Sequence, residues 1–251
     1  VSSRPMRIGV SATFMASGDG VRNAGISRYC REIVGGLARV APNDEFVAFT
    51  AESVEIPTEW AELPNLAVRS VAPADALKRT LWDRRAPSRF GREFDVWFTT
   101  AHAATPKRHP VPILTMIHDM IPLTHAESHV GLRLRFLRRA LVASARSADR
   151  LVTNSDFTAN EIARIAGVPR SKISVTPLGP GHAVKPVAPA SVADDDLRRL
   201  GVGGPDYFLT LGTLEPRKNL PRLIEAFAGV PEPWRLAVAG GKGWATSPVF
   251  E

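Results

Sequence analysis

Apolar runs too short for helices recur along this chain, and most are separated by stretches of helical periodicity. The runs are "RIGVSATF" (7–14), "EFVAFT" (45–50), "LAVRSV" (66–71), "FDVWFTT" (94–100), "PILTMIH" (112–118), "RLVTNS" (150–155) and "ISVTPLG" (173–179). Several are continuously apolar, as strands covered on both faces must be. Helical patterns are clearest at 26–40, 132–148 and 156–166. This alternation predicts an α/β fold built on a parallel, doubly wound sheet. The pattern breaks near 180–205, a Pro-, Gly-, Ala- and Asp-rich stretch that reads as a linker with one short helix. It restarts with a strand at 207–213, a helix at 218–229 and a strand at 235–239. The expected organisation is one domain over 1–182, a linker over 183–205 and a partial second domain over 206–251. Two parallel strands and one helix do not close a core, so this second unit reads as the beginning of a larger one.

No apolar run approaches the roughly 20 residues that span a bilayer. The opening "VSSRPMRIGVSATF" reads as a first buried strand rather than a leader. The single cysteine, Cys30, excludes an intramolecular disulfide and fits a reducing compartment, with cytoplasm the default. The net charge of +7 is unevenly placed: residues 77–150 hold 14 Lys and Arg against 6 Asp and Glu. A basic concentration of this kind suits nucleic acid, an anionic membrane surface or a polyanionic substrate. Its densest part, 131–150, is amphipathic: Leu134, Leu137, Leu141, Ala145 and Ala148 share a face, with arginines beside it. It is readable as a core helix with a solvated basic side, or, together with 77–94, as a surface for anionic headgroups.

The most informative stretch is "YFLTLGTLEPRKNLPRLIEAF" (207–227). Between strand and helix lie Glu215, Pro216, Arg217 and Lys218. Two cations at a helix N-terminus oppose the helix dipole. An anion bound there would reverse that cost, because free N–H groups, a guanidinium and an ammonium together suit a diphosphate. The alternative is a solvated pair partly neutralised by Glu215. After the first strand, "GDGVRNAGISRY" offers Gly18, Gly20 and Gly25 for close backbone approach, or an ordinary loop. His118 and Asp119 end an apolar strand at the ligand-binding edge of such a sheet. Asp194, Asp195 and Asp196 read as a helix start rather than a metal site, and Ser155 reads as an N-cap.

"FLTLGTLEPRKNLPRLIEAF" followed by "WRLAVAGGKGW" resembles the start of the C-terminal domain of retaining family-4 glycosyltransferases, which have the GT-B architecture. "GISRYCREIVGGLAR", "MIHDMIPL" and "ADRLVTNSDFTANEIARIAGVPRSKISVTPLGPG" resemble segments of that family's N-terminal domain. The resemblance implies a complete N-terminal Rossmann-like sheet and the beginning of a second Rossmann-like domain. It implies that Arg217 and Lys218, with Gly212 in the same turn, hold the diphosphate of a nucleotide-sugar donor without a metal or other cofactor. It implies backbone contacts from Gly25 and Ile26 to the donor, and a role for His118 and Asp119 beside the donor sugar or acceptor. Transfer in the family is thought to proceed with retention and without an obvious enzyme nucleophile. Its members carry a Glu-rich motif further downstream that contacts the sugar and ribose. These 251 residues hold no such motif, so the chain by itself is expected to be inactive. The implied reaction moves a sugar, from GDP-mannose first and a UDP-sugar second, to a growing polysaccharide or lipid-linked glycan. The implied location is cytoplasmic, peripheral on the inner face of the membrane. A nicotinamide oxidoreductase fits less well, lacking a clean glycine fingerprint and an acid ending the second strand. A nucleic-acid-binding protein lacks a recognisable module, and no nucleic-acid partner is expected.

Overall fold

In a computed structural model the chain divides into two compact units, Val1–Pro180 and Gly181–Glu251. The structure describes residues 4–17, 25–101, 109–124, 132–181, 194–202, 206–241 and 243.

The first unit is built on β1 (Arg7–Ser11), β2 (Glu45–Ala51), β3 (Leu66–Ala72), β4 (Val96–Thr99), β5 (Ile113–Met116), β6 (Arg150–Thr153) and β7 (Ile173–Val175). All pair in parallel in the order β3-β2-β1-β4-β5-β6-β7. β1 lies between β2 and β4, so the strand order reverses beside it, at the position where doubly wound sheets bind ligands. Several strands end earlier than their apolar runs: β1 at Ser11, β5 at Met116 and β7 at Val175. The surplus residues have left the ladder for the carboxyl-edge loops.

The pleat of β1 explains the two covered faces. Ile8 and Val10 pack under α1 (Gly25–Val40), against Cys30, Val34 and Ala38. Gly9 points the other way, where a Cβ would stand 2.8 Å from Cε3 of Trp97. The missing side chain lets Trp97 lie flat in an aromatic cluster with Phe49 and Phe94. α2 (Ala76–Phe90) covers this cluster. The sequence pattern did not reveal α2, because one of its few buried positions is an acid, Asp83. The far half of the sheet is covered by the short α3 (Ile121–Thr124), by α4 (Leu132–Ser147) and by α5 (Asp156–Ala166), through Leu141, Ala145, Ala159 and Ile162. Ser155 caps α5 by accepting from the Thr158 amide at 3.2 Å, and Gly167 ends it at φ +64.

The second unit contains α6 (Asp194–Arg199), β8 (Tyr207–Leu211), α7 (Leu220–Phe227) and β9 (Arg235–Ala239). β8 and β9 are parallel, with Tyr207 opposite Arg235. The helix expected from residue 218 begins at Leu220. Pro216–Lys218 forms a separate 3₁₀ turn, and Asn219, at φ +51 between the two, breaks the helical path.

Candidate functional site

At the carboxyl edge of the first sheet, polar side chains replace the apolar core. Asp83 reaches in from α2 and accepts hydrogen bonds from Ser11 Oγ and Thr13 Oγ1, each 2.7 Å. Burial pushes its carboxyl up to about 6, although the two hydroxyls and the charge of Arg79 act against the shift. One strand over, Thr100 Oγ1 donates to the Ser11 carbonyl at 2.7 Å and lies 3.0 Å from Cys30 Sγ. Burial pushes the Cys30 thiol up to about 12, so it is no nucleophile at neutral pH.

His118 follows β5 at this edge. Its Nε2 lies 3.0 Å from the Thr100 carbonyl, which can only accept, so Nε2 carries the proton. Burial holds its pKa below the ordinary 6.5, outweighing the carbonyl and Asp119. The ring is therefore neutral at pH 7 and Nδ1 is a bare acceptor, without a partner among the described residues. Tyr29 packs edge-on against the ring with centroids 4.7 Å apart, which fixes its orientation. Asp119 Oδ1 accepts from the Ile121 amide at 3.0 Å, so half of this carboxylate caps α3. Gly25 opens α1 at φ +29, with open space where a side chain would project. Ile26 is partly buried against the core under α1. Ser27 accepts from the Ala16 amide at 2.9 Å and ties the loop after β1 to the helix start. Gly18 and Gly20 lie outside the described residues.

The second unit has its own carboxyl edge, made almost wholly of backbone. Beyond β8 and β9 the chains stay zipped: the Gly212 amide donates to the Ala239 carbonyl at 2.9 Å, and the Leu214 amide to Gly241 at 3.0 Å. Gly240 is obligatory there, since its φ is +156 and a Cβ would sit 1.9 Å from the Gly212 oxygen. Lys218 folds back over this floor, with Nζ 3.8 Å from where a Gly212 Cβ would be. The Lys218 ammonium has no ion pair among the described residues. Arg217 differs, because its guanidinium is paired with the buried Glu215 carboxylate. The two adjacent cations are thus unequal, one held by Glu215 and the other without an ion pair among the described residues.

A profile of glycosyltransferase family 4 matches residues 24–179. The chain belongs to this family. It is 33% identical over 142 residues to O-antigen chain mannosyltransferase B of Escherichia coli, a match that takes in 55% of this chain and 37% of that protein. HepE of Anabaena superposes with a TM-score of 0.64 in its complex with UDP and glucose, at 16% identity, over 98% of this chain and 64% of HepE. Its complex with UDP-glucose gives 0.61 at 15% identity, over 98% and 63%. The chain spans less than two thirds of either relative. In this family-4 chain of GT-B fold, each unit carries a polar edge at the carboxyl ends of its own strands. Sequence reasoning missed the one built by Asp83, Ser11, Thr13 and Thr100. Its one legible signal was a single acid, Asp83, among the five cations of Ala76–Phe90.

Proposed function

We propose that the protein is a retaining, metal-independent glycosyltransferase that moves a sugar from a nucleotide-sugar donor to a growing polysaccharide or lipid-linked glycan. Mannose from GDP-mannose is the preferred donor sugar, and a UDP-sugar the second choice. Membership of family 4 supports sugar transfer, and the relationship to a mannosyltransferase supports mannose. HepE, which shares the fold, was crystallised with UDP-glucose and with UDP and glucose, and keeps the UDP-sugar in view.

The observation that carries this reading is the Lys218 ammonium, without an ion pair among the described residues, over a glycine-built backbone edge. As the bond from sugar to phosphate breaks, negative charge grows on the leaving diphosphate. A fixed ammonium and the amides at the start of α7 meet that charge without a divalent ion. Arg217 serves the same group when the incoming phosphate draws it from Glu215. In the first unit, Nδ1 of neutral His118 accepts a hydrogen bond from a sugar hydroxyl, and Asp119 keeps one oxygen for the same purpose. Gly25, with no side chain and nothing among the described residues where one would project, admits a phosphate or sugar to the backbone at the start of α1, next to Ile26.

The test offers the full-length enzyme, not the 251 residues alone, GDP-mannose and UDP-sugars with a lipid-linked glycan acceptor, and reads the product's anomeric configuration by NMR. Transfer of mannose with retention is expected. Inversion, or no transfer from any nucleotide sugar, contradicts the proposal.

A further inference from the structure

We propose that the outer face of α2 docks on a bilayer surface that carries anionic lipid. α2 holds five cations, Lys78, Arg79, Arg84, Arg85 and Arg89, and one acid, Asp83. The fold turns that acid inward onto Ser11 and Thr13, where it feels Arg79 but pairs with none of the exposed cations of α2. Lys78, Arg84, Arg85 and Arg89 are exposed, and none makes an ion pair among the described residues. With 3.6 residues per turn, Leu77 and Leu81 fall on the same outer face, flanked by Arg84 on one side and by Lys78, Arg85 and Arg89 on the other. These leucines are 67% and 44% exposed. Beside them a shallow cavity of about 310 Å³ is bordered by Lys78, Trp82, Arg85 and Arg89.

The aliphatic centre of this cationic face decides the partner. A nucleic-acid backbone meets the cations with phosphates but presents little apolar surface to two leucines, whereas a bilayer interface buries them and places the cations at headgroup phosphates. Attachment of this kind is peripheral, and no helix among the described residues is long and apolar enough to cross a membrane. The basic segment at α4 is a weaker candidate. Arg138 is spent on the Pro122 carbonyl and Arg146 on the Ala166 carbonyl, while Leu141 and Ala145 are in the core.

The experiment is co-sedimentation of the chain with vesicles of phosphatidylcholine, with and without phosphatidylglycerol. Binding is expected only with phosphatidylglycerol, weakening as salt rises. The triple variant Lys78→Gln, Arg85→Gln, Arg89→Gln should bind on the order of a hundredfold more weakly, at roughly 1 kcal/mol per cation. Leu77→Ser with Leu81→Ser should remove the binding that survives high salt. The α4 variant Arg135→Gln, Arg139→Gln should bind within about twofold of wild type, since it leaves the α2 cations in place. Circular dichroism confirms that each variant folds. Absence of wild-type binding overturns the proposal, as does equal binding to neutral vesicles. Loss of binding in the α4 variant but not the α2 variants overturns it too. So does equally tight binding to a single-stranded oligonucleotide that resists the leucine changes, which would mark a nucleic-acid surface.

Discussion

Asp83 is a buried acid held by two hydroxyls, and its energetics follow from that setting. Its carboxyl titrates near 6 in the folded chain rather than the ordinary 3.8. The folded protein therefore keeps this proton longer than the unfolded chain. The stability this supplies is full below about 3.8 and is lost as the pH rises through about 6. Asp83→Asn keeps one acceptor and one donor for Ser11 and Thr13 but cannot ionise. Relative to wild type, the variant should gain about 2 kcal/mol of stability between pH 4 and pH 7, read by urea unfolding across that range. A constant difference would contradict the assignment. His118 gives a second residue-scale test. Burial places its protonation below 6.5, so an NMR titration of its ring should show a midpoint below that value. A midpoint at or above it would mean that the ring is charged more readily than its burial allows.

At the scale of elements, Gly9 shows how tightly the first strand is constrained. Gly9→Ala would press a methyl group onto Trp97, inside a packed aromatic cluster. The expected cost is about 1–3 kcal/mol, seen as a fall in Tm. An unchanged Tm would show that Trp97 can move aside. The elements legible in the sequence were those whose chemistry repeats. The strands and α1, α4 and α5 came from apolar periodicity, and the start of α5 from Ser155. α2 was not legible, because its inward face meets a polar strand end and carries Asp83 where a leucine would have completed the stripe. The turn after β8 was legible in its residues and not in its geometry. Arg and Lys read alike in a sequence, and only the fold shows Glu215 beside one and a bare glycine floor beneath the other. The Asp83 constellation joins residues some 70 positions apart, a distance no local pattern spans.

At the scale of the whole molecule, the two units differ in how much they bury. The largest fully buried side chains, Trp97, Phe49, Ile113 and Met116 among them, belong to the first unit. In β8, Leu209 and Leu211 are 60% and 78% exposed. Amide exchange should therefore be slowest in β1, β4 and β5 and much faster in β8 and β9, since protection follows local burial. Equal protection would mean that β8 and β9 are covered in solution. The central claim is that Lys218 and Arg217 hold the donor diphosphate without a metal. The direct measurement is the turnover number of sugar transfer by the full-length enzyme with a chelator present, for wild type, Lys218→Ala and Arg217→Ala. Each lost contact to the leaving group is worth about 1.5–3 kcal/mol. Turnover should therefore fall about tenfold or more in each variant, while wild type is indifferent to the chelator. Normal turnover in both variants, or wild-type activity that vanishes with the chelator, would contradict it.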